Sequence, residues 1–231
     1  MGEPLYKQLV DDLRRKIQEG ELKAGDRLPT EFELSEQYKV SRITVRKALE
    51  LLVDEELLFK RHGIGTFVAE KRLERNTSEY MGFTQACQIE GRKPSSILLS
   101  VDLQDATETD KANLSLGPNE RIIRIIRIRC CDEQPVALEE MHLSQKYAII
   151  LSKDLTGSIH QLLFEEGIVL THGMKIIDLC YANPREVEAL GVEPEEALLL
   201  QKDIGYDEQD HPIYYCKSVT NPKKYKIVVY N

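Results

Sequence analysis

Four basic side chains are concentrated in residues 39–47, a stretch without any acidic residue. Arg42 and Arg46 are four residues apart, so they lie on the same face if the segment is helical. Their planar guanidinium groups can pair with guanine O6 and N7 or with a phosphate, and Thr44 adds a hydroxyl. The spacing indicates a DNA-reading helix. Charge alone favours a solvated helix face, with Arg46 paired to Glu50 one turn away.

A second group of charged residues lies in the other half of the chain. Arg127 and Arg129 alternate along a predicted strand, so both side chains lie on one face. Neighbouring guanidinium groups repel each other unless an anion or carboxylates join them, and Glu139 on the next strand can supply one carboxylate. Ser158 begins a predicted helix, whose first amides favour phosphate or carboxylate. The pattern indicates an anion site; the alternative is an Arg–Glu cross-strand pair that only stabilises the sheet.

Hydrophobic spacing and cap residues predict the elements that would present the first group. Apolar side chains recur every four residues in the first segment, which predicts an amphipathic helix. Thr30 and Ser41 are N-cap residues for two further helices. The predicted elements are helices over 1–20, 31–38 and 42–56 and strands over 57–61 and 66–68. Three helices followed by a hairpin with a glycine-rich tip form a winged helix-turn-helix.

The rest of the chain predicts a second domain. Residues 71–80 are mostly polar and charged, and they predict a linker between a domain at 1–70 and a domain at 81–231. Strands and helices then mix without a strict βαβ repeat, which favours an α+β fold with a mostly antiparallel sheet. The predicted strands are 96–103, 121–131, 136–142, 197–206 and 212–220, and the predicted helices are 158–166 and 184–190.

Composition and charge narrow the class of protein. The 231 residues carry a net charge of −8, but the first 75 residues hold 15 basic and 15 acidic side chains, so a local basic face can bind phosphate. No apolar run is long enough to span a membrane, and no secretory signal is visible. Five cysteines without C-x-x-C spacing suit a reducing cytoplasm. We expect a cytoplasmic protein without metal or other cofactor.

Several short motifs strengthen both interpretations. Those of the first half are Pro4-Leu5-Tyr6, Gly20-Glu21-Leu22, Arg27-Leu28-Pro29-Thr30-Glu31, Ser41-Arg42, Thr44-Val45-Arg46 and Gly63-Ile64-Gly65-Thr66-Phe67-Val68. With them, the first 70 residues resemble the GntR family of bacterial transcription regulators. Those of the second half are Met81-Gly82-Phe83, Arg127-Ile128-Arg129, Pro135-Val136-Ala137-Leu138-Glu139-Glu140, Asp154-Leu155-Thr156-Gly157-Ser158 and Pro212-Ile213. They resemble the effector-binding (UTRA) domain of the HutC subfamily over residues 78–230.

The resemblance implies roles for individual residues. Those implied in DNA binding, from the recognition helix and the wing tip, are Arg42, Thr44, Arg46, Lys47, His62 and Gly63. Those implied in effector binding are Arg127, Arg129, Glu139, Ser158 and Tyr214. The wing tip enters the minor groove in this family. Phe32 and Ile64 depart from the family pattern because a basic residue is usual there, and Tyr214 departs from it because an acidic residue is common.

The sequence therefore predicts a homodimeric transcription regulator, a repressor that binds a near-palindromic operator in double-stranded DNA. We expect a small anionic effector, a sugar phosphate ahead of a carboxylic acid, to release it through linkage. One alternative is an enzyme that transforms a small molecule in the second domain, and another is a DNA-binding protein without an effector. No nucleophile motif or metal cluster supports an enzyme, and we expect no membrane partner.

Overall fold

The chain divides into two compact units, Met1–Lys71 and Arg72–Asn231. The computed structural model describes residues 5–70, 73–76 and 82–228, and for 73–76 and 228 it describes the backbone only. Within the predicted linker at 71–80, residues 73–76 form a strand. The rest of that linker lies outside the described residues.

The first unit is a winged helix-turn-helix, as the sequence predicts. Its elements are α1 (Leu5–Gln18), α2 (Glu31–Tyr38), α3 (Arg42–Asp54), β1 (Leu58–Arg61) and β2 (Gly65–Val68). Leu9 and Leu13 of α1 are buried in one cluster with Leu34 of α2, Leu49 of α3 and Val68 of β2. Removal of these side chains from water holds the three helices and the hairpin together.

Side-chain caps fix where α2 and α3 begin. The hydroxyl of Thr30 accepts a hydrogen bond from the Glu33 amide at 3.3 Å, and the Glu33 carboxylate accepts one from the Thr30 amide at 2.7 Å. The Ser41 hydroxyl accepts a hydrogen bond from the Thr44 amide at 3.1 Å. Between the two helices, Lys39 adopts a left-handed conformation with φ 53°. The resulting turn is tight and fixes the direction of α3.

The second unit is an α+β domain with an antiparallel sheet, as the sequence predicts. Its strands are β3 (Leu73–Asn76), β4 (Pro94–Asp105), β5 (Arg121–Cys131), β6 (Gln134–Ser144), β7 (His172–Tyr181), β8 (Ala197–Tyr206), β9 (Pro212–Thr220) and β10 (Tyr225–Val228). Its helices are α4 (Phe83–Ile89), α5 (Glu108–Leu114), α6 (Ile159–Glu165), α7 (Pro184–Leu190) and a 3₁₀ segment (Gln145–Ser152). Within the described residues, six strands pair in the order β4-β5-β6-β9-β8-β7, each with an antiparallel neighbour. Strands β3 and β10 form a separate parallel pair.

The antiparallel sheet has a hydrophobic core on each face. On one face, Ile125 of β5 and Met141 of β6 pack with Leu163 of α6. On the other face, Leu138 of β6 packs with Leu190 of α7. Because side chains alternate along a strand, β5, β6 and β9 each contribute to both cores.

The helices of the described ranges are short. The longest, α1, has 14 residues. No helix in these ranges is long and apolar enough to cross a membrane.

Candidate DNA-binding surface and effector pocket

Helix α3 buries one side and presents its first turn to solvent. Val45, Leu49 and Leu52 are fully buried, whereas Arg42 and Arg46 are exposed. The buried stripe anchors the helix against α1 and α2. A helix presented in this way can place its N-terminal side chains in a DNA major groove.

Two basic side chains of α3 are held by neighbouring groups. The guanidinium of Arg46 donates hydrogen bonds to the Glu31 carboxylate, at 3.3 Å from Nε and 2.9 Å from Nη2. Its carboxylate partner is thus Glu31, at the start of α2, rather than Glu50 on its own helix. The ammonium of Lys47 lies 4.3 Å from the centroid of the Tyr6 ring, within cation–π distance.

The wing tip depends on two glycines. Gly63 has φ 70°, a conformation that glycine adopts without steric cost. A Cβ atom at Gly65 would lie 2.9 Å from Nε of Arg27, so glycine allows this close approach. His62 is exposed next to Gly63 in the turn. The turn therefore projects His62 and Gly63 at the end of the hairpin, away from the buried cluster.

Three large apolar side chains are exposed on the same elements. The exposed fractions are 59% for Phe32, 79% for Ile43 and 54% for Ile64. Phe32 and Ile64 occupy the two positions at which this chain departs from the basic residue that the resemblance implies. Sequence reasoning missed Ile43, although its position outside the buried stripe of α3 is a usable signal. Such side chains can contact a thymine methyl group or wedge into the minor groove.

The five side chains predicted to bind an effector line one cavity of the second unit. They are Arg127, Arg129, Glu139, Ser158 and Tyr214. They come from β5, β6, β9 and the residue that caps α6. The cavity has a volume of about 50 Å³, which holds a few water molecules. Register explains the meeting of the charged groups, since Arg127 and Glu139 stand opposite each other on β5 and β6.

Most N–H donors of Arg127 form hydrogen bonds to other groups of the protein. Arg127 is 1% exposed, and its Nε donates to Glu139 at 3.0 Å. Nη2 donates a second hydrogen bond to the same carboxylate. Nη1 donates to the carbonyl oxygens of Leu155 and Gly157, both at 2.8 Å. Arg127 therefore links the loop before α6 to the sheet through hydrogen bonds.

Arg129 is buried but less completely engaged. Its guanidinium lies 4.8 Å from the Phe83 ring centroid, donates to the Thr84 hydroxyl at 2.9 Å, and lies 3.6 Å from Glu139. Nε has no hydrogen-bond acceptor among the described residues. Burial lowers the pKa of Arg129, against the opposing effect of the Glu139 charge. A buried donor without an acceptor is costly, and a ligand oxygen would satisfy it.

The carboxylate of Glu139 is stabilised as an anion. Burial alone would raise its pKa, but the charges of Arg127 and Arg129 and the Arg127 hydrogen bonds lower it from 4.5 to about 2. Glu139 is therefore ionised across the neutral pH range. It can accept a ligand hydroxyl or hold the two arginines in place.

Further polar residues of the cavity escaped sequence reasoning. They are Thr84, Gln201, Asp203, Ser218 and Thr220. Those of β8 and β9 recur at every second position, which is the available sequence signal. Tyr214 is buried and stacks on the His160 ring at 5.2 Å between centroids. The Ser158 hydroxyl accepts a hydrogen bond from the Gln161 amide at 3.2 Å and so caps α6.

Comparison with known proteins identifies both halves of this arrangement. The model of the bacterial regulatory proteins of the gntR family matches residues 5–68, and the UTRA domain model matches residues 90–226. The chain belongs to the gntR family and carries the UTRA domain of its HutC subfamily. It is a DNA-binding transcription regulator, and both the family and its named relatives are regulators rather than enzymes.

Individual relatives cover nearly the whole chain. The transcriptional repressor NagR of Bacillus subtilis is 31% identical over 229 residues, which are 98% of this chain and 94% of NagR. The repressor MngR of the mannosyl-D-glycerate transport and metabolism system of Escherichia coli is 28% identical over 232 residues, which are 98% of this chain and 95% of MngR. The crystal structure of PhnF from Mycobacterium smegmatis has the same fold, with a TM-score of 0.80 at 24% identity, covering 96% of this chain and 98% of PhnF.

Proposed function

We propose that the protein is a repressor that binds a near-palindromic operator as a homodimer and leaves it when a small anion occupies the UTRA cavity. The names of NagR and MngR support repression. The observation that carries the effector proposal is the convergence of five predicted side chains on one cavity. A sugar phosphate is the preferred ligand class, ahead of a carboxylic acid.

The charges around the cavity favour an anionic ligand. Arg127 is neutralised by Glu139, whose carboxylate accepts hydrogen bonds from Nε and Nη2 of Arg127. Asp203 pairs with Lys175 on the neighbouring strand, where Nζ and the carboxylate oxygen are 3.6 Å apart. The positive charge of Arg129 is then the one that an anion can balance. Charge-assisted hydrogen bonds to such a ligand contribute about 1.5–3 kcal/mol each.

The elements that line the cavity support a conformational response. Tyr225 lines the cavity and begins β10, which pairs with β3. Phe83 and Thr84 line it from α4. Strand β3 is the first element of this unit after the DNA-binding unit, so displacement of its neighbours is a route for linkage between effector and operator.

The proposed DNA contacts follow the geometry of the first unit. Arg42 and Arg46 read bases or clamp phosphates from the first turns of α3, with Thr44 and Lys47 on the phosphate backbone. His62 and Gly63 enter the minor groove from the wing tip; the exposure of His62 and the left-handed conformation of Gly63 support this role.

A second copy of the chain is the partner we propose for the edge of the sheet. Ile177, Leu179 and Tyr181 of the edge strand β7 are 42%, 62% and 66% exposed. A long apolar edge strand favours association, and a two-fold dimer lets one such surface cover its own copy. Light scattering of the full chain should then give twice the mass of one chain, and a single-chain mass would contradict this part of the proposal.

A thermal-shift panel tests the effector proposal. The full chain is heated with hexose phosphates, the matching uncharged hexoses, small carboxylates and inorganic phosphate. We expect at least one hexose phosphate to raise the unfolding temperature and its uncharged partner to have no effect.

Arg129→Met should abolish that shift, because it removes the positive charge available to the ligand. Thr84→Val, which removes only a hydroxyl, should weaken the shift. Arg121→Met is the matched control on the exposed end of the same strand. A shift that is unchanged in Arg129→Met would place the anion site elsewhere.

A further inference from the structure

The acidic side chain of Glu31 lies near the basic side chains of Arg42, Arg46 and Lys60 in the first unit. Glu31 is the first residue of α2, and its pKa is lowered by the hydrogen bonds of Arg46 and by the charges of Arg46, Lys60 and Arg42, against a smaller effect of burial. A carboxylate near the DNA backbone repels phosphates and weakens binding to any sequence. We therefore looked for a role of Glu31 in DNA binding that offsets this loss of affinity.

The hydrogen bonds between Glu31 and Arg46 use one particular edge of the guanidinium. The carboxylate oxygens accept from Nε at 3.3 Å and from Nη2 at 2.9 Å. Arginine carries five N–H donors in a rigid fork, so the edge formed by Nη1 and the outer hydrogen of Nη2 stays available. That edge can pair end-on with guanine O6 and N7.

The backbone around Glu31 is well fixed. Thr30 and Glu33 form the reciprocal capping box that begins α2, and Leu34 is buried at 1% exposure. The Glu31 side chain is 27% exposed, against 54% for Arg46. A carboxylate carried by a fixed backbone and less exposed than its partner thus restrains a long side chain that would otherwise sample many rotamers.

We propose that Glu31 is a positioning residue that orients Arg46 for base reading, so that the chain gives up some affinity for DNA in general and gains sequence specificity. The inference rests on the proposed role of Arg46 as a base reader. A fixed guanidinium discriminates between bases, whereas a free one can also pair with any nearby phosphate.

The test begins with an operator selected from random duplexes by the full wild-type chain. Affinity is then measured for that operator, for each single-base-pair change in one half-site, and for a scrambled duplex. Glu31→Ala is compared with Glu31→Gln, which keeps an oxygen acceptor without the charge. Glu36→Gln is the matched control, because Glu36 is an exposed acid on the same helix.

We expect Glu31→Ala to bind the scrambled duplex more tightly and to lose about tenfold in discrimination. The loss should fall on the same base pair at which Arg46→Ala loses its preference, with the other positions unchanged. Glu31→Gln should lie between wild type and Glu31→Ala, and Glu36→Gln should tighten binding to both duplexes equally.

The two ideas fail in distinguishable ways. If Arg46→Ala loses preference at one base pair and Glu31→Ala keeps it there, Glu31 does not position Arg46. If Arg46→Ala itself keeps every preference, Arg46 is not a base reader, and the inference falls with the proposed role.

Discussion

Replacement of Arg127 by methionine removes a cation that is buried within the second unit. The variant loses both hydrogen bonds to Glu139 and leaves the carbonyl oxygens of Leu155 and Gly157 without their donor. Methionine fills a similar volume, so the effect of the lost charge dominates over that of a cavity. Destabilisation is therefore expected even though the site is close to a proposed ligand.

The size of this destabilisation can be estimated from the Glu139 carboxylate, which remains in the variant. Lowering the pKa of Glu139 from 4.5 to about 2 corresponds to about 3 kcal/mol of stabilisation at neutral pH. Removal of one partner of a buried ion pair typically costs about 3–5 kcal/mol. Arg129 remains near Glu139 and retains part of the stabilisation, so we expect Arg127→Met to lower the free energy of unfolding by about 3 kcal/mol.

Urea unfolding followed by circular dichroism measures this loss, and hydrogen exchange in β5 and β6 assigns it to the second unit. The control is Arg121→Met: Arg121 is 44% exposed and 3.6 Å from Asp105, so its change should stay below about 1 kcal/mol. The double variant Arg127→Met, Glu139→Leu should cost at least about 1 kcal/mol less than the sum of the two single variants. Additive single changes would refute the assignment of the stabilisation to this pair.

The stability difference between wild type and Arg127→Met should also depend on pH, in a direction set by Glu139. The Glu139 pKa is depressed in the folded state, so its contribution to stability is present above pH 4.5 and is lost as the pH falls toward 2. The difference between wild type and Arg127→Met should therefore shrink over that range. A difference that grows on acidification would contradict the argument.

Two further predictions concern protonation and salt. Burial lowers the pKa of His142, but the hydrogen bonds to Glu140 and Asp110 and the charges of these two carboxylates together raise it above 6.5. The stabilisation contributed by protonated His142 is therefore present below pH 6.5 and is lost as the pH rises through the folded pKa. Urea midpoints measured across this range should fall with rising pH for wild type relative to His142→Gln. Parallel curves for the two proteins would refute this prediction. Operator affinity measured against salt should give a steeply negative slope on logarithmic axes, and a flat line would exclude phosphate contacts as the main source of affinity.

Much of the first unit could be predicted from sequence because its signals are local. Thr30 and Ser41 act as N-caps, as predicted, and α2 ends at Tyr38. The partner of Arg46 was not predictable in the same way. Helical spacing points to Glu50, whereas the folded unit brings Glu31 to it from another helix.

In the second unit, the sequence predicts strands that are dense in β-branched residues, such as β5, and misses others. Strand β5 has the predicted bounds 121–131, and Arg127 and Arg129 share the cavity face. Strand β7 was missed because its apolar residues do not alternate, as its position at the sheet edge leaves both faces partly exposed. The short elements α4, α5, β3, β10 and the 3₁₀ segment were also missed, since they are stabilised by tertiary packing rather than by local pattern.

The hydrogen-bond partners of Arg127 could not be predicted from the pattern of residue types. Sequence spacing places Arg127 and Arg129 side by side and predicts that both bind an effector. In the structure, Arg127 bonds to Glu139 and to two backbone carbonyls, while Arg129 keeps an Nε donor without an acceptor among the described residues. Long-range hydrogen bonds to the 155–157 loop make this difference, and no local signal in the sequence reveals it.

The most direct test of a ligand-responsive repressor is the reciprocity of its two binding equilibria. The compound with the largest thermal shift is titrated into the free chain and into the operator-saturated chain, and operator affinity is measured with and without that compound. We predict that the compound and the operator weaken each other by the same factor, of about 5–150-fold. A compound that binds the free and operator-bound chain equally would contradict the coupling of the cavity to DNA release.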